Sequence, residues 1–521
     1  MSHRLPEQLR SLLDPAAYGG VVSEVTLVET HISWVLLAGE FAYKIKRAVQ
    51  WPFVDQRALS QRRRLCEEEL RLNRRFASQV YLDVVPITVQ GGGVRFGGTG
   101  TVIEYAVRMR RFDRSQELDE LLRHGSIEPD ELAGFGDRLA RIHAQLARVT
   151  EQDPWGSAAQ VHELVLRNFA ELRDAAVGIG EDLAAGPLQS DLRHRLQMAE
   201  GPMRARREHG YVRECHGDLH ARNIVRLQDG LTPFDCVEFE PAFRWIDVAD
   251  EVALLKVDLE ARGCAAHAWA FCNAYLQQSG DYAMLDVLAL YEAHRALVRA
   301  KVAALSIKGL VEEPADMQAL RLEFRQLLAC ARRALCARRP RLILMSGLSG
   351  SGKSWLATRL ARAIGIVHVR SDVERRRLAG LAAEVRSGSS PGEGLYTESH
   401  TRAVYARLRE CARCILAGGY DALVDATFLK QAERAEFAQL AAQRAVPLLM
   451  LQCQASMEVL RTRLTARSRA GTDASEADAA VLNWQVQHAQ PVCAAEGLRC
   501  IEVATDRDDP LALALRAIGL S

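Results

Sequence analysis

ECHGDLHARNIVRLQDGLTPFDCVEF, residues 214–239, is the stretch whose reading decides the first half of the fold. Asp218 and Asn223 stand five residues apart on a short loop. NIVRL and LTPF read as two short strands joined by QDG, an Asp-Gly pair that favours a tight hairpin turn. A hairpin returns its last residue to its first. Asn223 at one end and Asp235 at the other are thereby placed to share one Mg²⁺, a cation that takes oxygen ligands and leaves positions for phosphate and water. Asp218 stays free to orient and deprotonate a hydroxyl.

Working outward, alternation and β-branched residues predict strands in VVSEVTLVE, SWVLLAG and FAYKIK, within residues 21–46. QRALSQRRRLCEEELRLNRRF (56–76) predicts a charged amphipathic helix, and short strands follow around 81–112. The pattern is mostly helical from 115 to 210 and again from 246 to 335. A β-rich lobe followed by a helical one is the expected architecture.

These residues together resemble the protein-kinase-like fold, and within it the aminoglycoside phosphotransferase branch, over most of residues 20–335. Protein kinases read H-R-D-x-x-x-x-N where this chain reads His216-Gly217-Asp218 and then Asn223. The resemblance implies Asp218 as catalytic base, Asn223 and Asp235 as metal ligands, His216 as a brace for the loop, and Glu238 as a lesser candidate near the metal. Ala42 and Lys44 in AYKIK match the A-x-K spacing of the phosphate-binding lysine. Lys46, on the same strand face, is the alternative. Among Glu67, Glu68 and Glu69, Glu69 is the expected partner of that lysine, because Leu65, Leu72 and Phe76 put it beside the apolar face. VIEYAVRMRRF (102–112) reads as the strand into an interlobe hinge. No G-x-G-x-x-G precedes Lys44; VETHISWVLLAGEF stands there, as aminoglycoside phosphotransferases also often lack that loop.

Beyond a basic stretch, CARRALCARRPR (330–341), strands and helices alternate, which predicts a parallel sheet with helices on both faces. RLILMSGLSGSGKSWLATRLA holds G-x-x-x-x-G-K-S: Gly347, Leu348, Ser349, Gly350, Ser351, Gly352, Lys353 and Ser354. Glycines let the backbone N–H groups wrap a phosphate at a helix N-terminus. Lys353 is expected on the β- and γ-phosphates and Ser354 on Mg²⁺. VRSDVERRRL places Asp372 and Arg375 just past a strand end, where open α/β sheets bind ligands. The half resembles small P-loop kinases of metabolites and of polynucleotide 5′ ends, and the AAA_33 and zeta-toxin-like group. That implies Asp372 activating an acceptor hydroxyl and Arg375 holding the acceptor. Asp425, in LVDATF, is expected at the Mg²⁺ and its water shell, or on the substrate. LRTRLTARSRAGTDASEAD reads as a helix–loop–helix lid with Arg467 and Arg463 to clamp phosphate, and Ser475 with Asp478 opening the next helix.

The fold class is therefore α/β and α+β: a two-lobed kinase-like domain over 1–337 and a P-loop NTPase with a doubly wound parallel sheet over 338–521. The whole resembles bacterial fusions of an aminoglycoside-phosphotransferase-like domain with a P-loop kinase or ATPase. Of 521 residues, 48% are hydrophobic and 26% charged, and the net charge is +1, which fits a soluble globular chain and argues against a nucleic-acid surface. The N-terminus has no apolar core of an export signal, and no apolar run spans a bilayer; no membrane and a cytoplasmic location are expected. The twelve cysteines then read as reduced thiols, and Cys411 with Cys414 as packing residues on a helix. ATP and Mg²⁺ are the expected cofactors, and a hydroxyl-bearing small molecule the expected acceptor, with a polynucleotide end still open. Three functions remain: a kinase with two working sites, a P-loop kinase with a sensory or degenerate first domain, and an ATP-gated interaction protein. Residues 244–260 carry Asp247, Asp250, Glu251 and Asp258, whose expected work is helix capping and helix-face pairing, with contact to a cationic acceptor as the alternative.

Overall fold

The computed structural model describes residues 5–18, 22–51, 54–309, 314–381, 395, 397–470, 479–493, 496–507 and 509–519. The chain divides into two compact units. One takes residues 1–127, 145–160 and 206–255; the other takes 128–144, 161–205 and 256–521. The helices Ala265–Ser279 and Leu285–Gly309 belong to the same compact unit as the C-terminal sheet.

In the first unit a six-stranded antiparallel sheet runs in the order Val25–Glu29, Ser33–Ala38, Phe41–Lys46, Thr101–Arg110, Tyr81–Gln90, Gly93–Phe96. Strand side chains alternate between faces. On Phe41–Lys46, Tyr43 and Ile45 therefore join Trp34, Leu36 and Ile87 in one core, against Leu5, Leu9 and Leu12. Ala42 joins the opposite core with Cys66, Tyr81, Val107 and Met109, and Lys44 and Lys46 share its side of the strand. The helix Leu59–Ala77 covers that face, burying Arg62, Leu65, Cys66, Glu69, Leu72 and Asn73 at helical spacing. The period-2 strand and the period-3.6 helix thus aim two lysines and one glutamate at each other.

The hairpin Ile224–Leu227 with Gly230–Pro233 pairs Ile224 with Pro233 and Leu227 with Gly230. Its turn residues are Gln228 and Asp229, one position earlier than an Asp-Gly turn would have. Gly230 follows at φ +96°, a conformation that favours glycine, so it begins the returning strand rather than closing the turn.

In the second unit five strands form an all-parallel sheet in the order Val367–Arg370, Ala422–Asp425, Leu342–Ser346, Leu448–Gln454, Arg499–Ala504. The first strand of the region lies at the centre, and Leu342–Ser346 is buried along its whole length, as a parallel strand covered on both faces must be. Ile343, Met345, Leu423, Leu449, Leu451 and Val503 pack with Leu356 and Leu360 of the helix Lys353–Ile364 and with Ala514 of the helix Pro510–Ile518. Cys411 and Cys414 lie on the helix Glu398–Ala417, the first buried and the second half-buried, and burial pushes both thiols up. No described helix is long and apolar enough to cross a membrane.

Candidate functional sites

The first site lies within the first unit. Lys44 Nζ donates to Glu69 Oε1 at 2.8 Å and to Asp235 Oδ1. Lys46 Nζ donates to Glu69 Oε2 and Glu238 Oε1. Glu69 thus bridges the two lysines. Its neighbours go elsewhere: Glu67 pairs with Arg63 on the surface, and Glu68 with Arg71 and Arg244. Lys46 is sealed at 0% side-chain exposure, whereas the Asp235 carboxylate it does not touch is 44% exposed; Lys44 is the lysine that faces the opening. Burial alone lowers both lysines, but the surrounding carboxylates outweigh it, holding Lys44 well above the usual lysine range and Lys46 at about 12. Burial raises the Asp235 carboxyl, yet Lys44 beside it keeps it below the usual range.

The loop that carries Asp235 is held from several sides. Asp235 sits at φ +66° and donates its N–H to Tyr81 Oη at 3.0 Å; the Cys236 N–H goes to Asn73 Oδ1 at 3.0 Å. The Phe234 N–H bonds Asn223 O at 2.9 Å, which is the hairpin closure that brings Asn223 and Asp235 together. Asn223 Nδ2 donates to Asp218 O at 3.0 Å and Asp218 Oδ2 at 3.2 Å, leaving the amide oxygen as its acceptor atom. His220 Nε2 lies 3.3 Å from Asp218 Oδ2, and the Asp218 side chain is 45% exposed. His216 is buried and kept neutral by that burial; its Nε2 donates to Phe234 O at 2.8 Å. Glu251 accepts the N–H groups of His216 at 2.9 Å and Gly217 at 2.7 Å. The partners of Glu251 lie 34 and 35 residues upstream, beyond any local pattern. Asp247 behaves as the capping role predicts, accepting from Ala249 N at 2.8 Å and pairing with Arg206. Carboxylate and amide oxygens at Asp235 and Asn223, one carboxylate partly exposed, form a donor set that fits Mg²⁺.

The second site lies within the second unit. The loop from Gly347 to Ser354 links the strand Leu342–Ser346 to the helix Lys353–Ile364. Its glycines adopt φ values of +145° at Gly347, +84° at Gly350 and +79° at Gly352. Ser349 N–H donates to Gln485 Oε1 at 2.8 Å, and Lys353 Nζ lies 3.5 Å from Leu348 O. Ser351 is buried, and Ser354 stands in the first turn of the helix. Asp425, 2% exposed, ends the strand Ala422–Asp425, and its Oδ2 lies 3.4 Å from His368 Nε2. Burial raises the Asp425 carboxyl, but His368, Lys353 and Arg370 outweigh it and bring it down to about 2. Its Oδ1 is buried with no hydrogen-bond partner among the described residues. A buried, ionised and half-satisfied carboxylate beside a phosphate loop fits a divalent cation, with the Ser354 hydroxyl as a further oxygen donor.

A cavity of about 330 Å³ brings Lys353, Asp372 and Arg375 together with Tyr405, Lys430 and Trp484. Arg375 Nη1 donates to Leu395 O at 2.8 Å. Arg467 lies on the helix Met457–Ala470 but outside this lining. Arg463 departs from its predicted role as a phosphate clamp: its guanidinium donates to Gly350 O at 3.4 Å, Thr505 Oγ1 at 3.1 Å and Thr505 O at 2.9 Å. These carbonyls belong to the phosphate loop and the neighbouring strand end, so Arg463 ties the loop down. The lid loop and its Ser475 and Asp478 lie outside the described residues. Gln485 and Trp484 escaped the sequence reading because a helix of ordinary composition carries them, with no motif to mark it.

The loop geometry makes one substitution decisive. A Cβ on Gly347 would stand 2.5 Å from Cys453 O and 2.6 Å from Ser351 Oγ, at a φ that side chains rarely adopt. Gly347→Ala is expected to lower ATP affinity by about 10-fold or more, from roughly 1–3 kcal/mol of backbone strain. Isothermal titration with ATP reads it; an unchanged Kd would remove the loop from the nucleotide site.

An AAA domain family (AAA_33) matches residues 342–492. Among proteins similar to the whole chain are the uncharacterized proteins Rv2004c and MT2060 of Mycobacterium tuberculosis and Mb2027c of Mycobacterium bovis. Each is 31% identical over 470 residues, covering 88% of this chain and 91% of the relative. Among solved structures, a sugar kinase from Janibacter sp. HTCC2649 is 17% identical with a TM-score of 0.27, covering 35% of this chain and 96% of its own. The APS kinase CysC of Mycobacterium tuberculosis is 20% identical with a TM-score of 0.25, covering 35% of this chain and 97% of its own. At these TM-scores neither likeness bears on activity.

Proposed function

The chain belongs to the family of the mycobacterial protein Rv2004c, and on that premise we propose that it is an ATP-dependent, Mg²⁺-assisted phosphotransferase with two nucleotide sites acting on hydroxyls of small-molecule acceptors. The shared 470 residues are too long for one half of the chain, so the two halves are inherited as one protein. The observation that carries the reading is the convergence at Asp235. Lys44 and Asp235, 191 residues apart, meet side chain to side chain, with Glu69 on the lysine and Asn223, beside Asp218, closing the hairpin onto Phe234. That set supports a kinase-like first domain of the aminoglycoside phosphotransferase type. The AAA-domain match and the geometry of the phosphate loop support a P-loop kinase as the second.

Mg²⁺-ATP, when bound, supplies the phosphoryl group and neutralises its charge. In the first site Asp218, partly exposed, accepts the proton of the acceptor hydroxyl, and His220 and Asn223 hold its carboxylate in place. Glu251 keeps the His216–Gly217 backbone, and hence Asp218, in position. Lys44 stays charged between Glu69 and Asp235 and is the phosphate contact. In the second site Lys353 contacts phosphate, Asp372 takes the acceptor proton, and Arg375 lines the acceptor side of the same cavity.

The test compares wild type, Asp218→Ala and Lys353→Ala, each incubated with Mg²⁺-ATP and a small-molecule extract whose phosphorylated products are read by mass. Loss of a catalytic base costs about 10²–10⁴-fold, and loss of a phosphate-binding cation is comparable. Each substitution is expected to remove a different product. If Asp218→Ala leaves every product in place while Lys353→Ala removes them, the two-site reading is wrong.

A further inference from the structure

The strand Val367–Arg370 is an edge of the parallel sheet, and an edge presents unpaired N–H and C=O groups. Here the helix Ala265–Ser279 supplies their partners. Asn273 Nδ2 donates to Ile366 O at 2.9 Å, and Asn273 Oδ1 accepts the His368 N–H at 2.8 Å. Gln277 Nε2 donates to His368 O at 3.0 Å. One asparagine and one glutamine thus stand in for a sixth strand. The C-terminal end of the same helix, where carbonyls lack internal partners, is taken by two arginines. Arg377 donates to Gln277 O and to Gln278 O at 3.1 Å, and Arg407 to Gly280 O at 2.9 Å. Arg377 sits on the helix Ser371–Leu378, which also carries Asp372 and Arg375.

This grip ends at chemistry. His368, 2% exposed, turns its Nε2 to Asp425 Oδ2, and an ionised carboxylate only accepts, so Nε2 is the donor. The other oxygen of Asp425 is the buried one with no partner. A carboxylate held by one oxygen presents the other in a fixed direction.

We propose that the helix Ala265–Ser279, which lies outside the AAA-domain match, is a working part of the P-loop site: through Asn273 and then His368 it sets the Asp425 carboxylate for the Mg²⁺ of the nucleotide or its water shell. Asn273 and His368 are positioning residues. This inference rests on the reading of the second site as a Mg²⁺-nucleotide site. The helix that steadies the site is encoded more than 60 residues before the phosphate loop, within the same compact unit.

The test is calorimetric binding of a non-hydrolysable ATP analogue to the full chain across a Mg²⁺ titration and in EDTA. Gln at 368 reproduces an N–H at the Nε2 position, whereas Asn reproduces only the Nδ1 position. His368→Asn is expected to raise the half-saturating Mg²⁺ concentration about 10-fold, with affinity in EDTA unchanged. His368→Gln is expected within twofold of wild type, and Asn273→Ala about threefold above it. A purely structural role would move affinity in EDTA as well, or move Gln and Asn alike; either pattern overturns the proposal, as does a Mg²⁺ midpoint unchanged in His368→Asn. If Asn273→Ala does not fold, the comparison of Gln with Asn at 368 decides alone. A wild-type chain that binds the analogue without regard to Mg²⁺, or not at all, defeats the Mg²⁺-nucleotide reading itself, which a null result confined to the variants would leave standing.

Discussion

Replacing Glu69 with alanine is expected to destabilise the first unit by about 3–5 kcal/mol, the range for removing one partner of a buried ion pair. The size follows from what is left behind. Lys46 Nζ is fully buried and would keep only Glu238; Lys44, 10% exposed, would keep only Asp235. Lys46 does not reach water without dismantling the strand Phe41–Lys46. An unfolding transition for a unit of this size is expected to fall by about 10 °C. Glu67→Ala on the same helix is the control: Glu67 and its partner Arg63 are more than half exposed, and surface pairs contribute about 0–1 kcal/mol. Thermal unfolding followed by circular dichroism compares the two. A Glu69→Ala loss no larger than that of the control would show that the lysines are not held as described.

The second large effect is expected at Arg434. Its guanidinium, 1% exposed, meets Glu496 with two bonds of 2.7 Å and also donates to Phe428 O at 3.1 Å and Gln490 O at 3.0 Å. These carbonyls belong to the segment after Thr427 and to the segment just past the helix Ala479–His488, which carries Gln485, so one planar cation joins two walls of the phosphate-loop site. Arg434→Ala is expected to cost about 3–5 kcal/mol, and Arg434→Lys to recover little, because an ammonium does not reproduce the two-pronged geometry. Denaturant unfolding of the second unit measures both; full recovery by lysine would mean that charge alone, not the fork, matters. The pair also gives a pH signature. The hydrogen bond from Arg434 brings the Glu496 carboxyl from 4.5 down to about 2. A carboxyl lowered in the folded state stabilises above its unfolded value and loses that contribution as pH falls. Wild-type stability should decline from pH 4.5 toward 2, and Arg434→Ala should show a shallower decline over the same window.

Parts of both candidate sites can be read from the sequence alone. The phosphate loop is legible because its chemistry is local: eight consecutive residues supply the positive-φ glycines, the lysine and the hydroxyl, and the strand and helix around them follow from their own periodicity. Asp218, Asn223 and Asp235 are legible for a similar reason, since one hairpin accounts for the approach of the last two. Glu69 could be singled out from three adjacent glutamates because a helical face has a period, and only one of the three lies on the buried stripe. In these cases the physical constraint acts over a turn or a hairpin, and the sequence carries the whole of it.

What tertiary structure decided are the contacts whose partners lie far apart in the chain. Glu251 holding the His216–Gly217 backbone, Asn273 bonding Ile366 and His368, and Gln485 accepting from Ser349 are all ordinary polar residues on ordinary helices. Arg463 shows the same limit from the other side. A basic helix before a flexible loop reads as a phosphate clamp, yet its guanidinium donates to backbone carbonyls 42 and 113 residues away. Hydrogen-bond partners are chosen by distance and direction once the core has packed. Periodicity determines which face of a strand or helix is buried, but only the packed fold determines which distant backbone atom that face will meet.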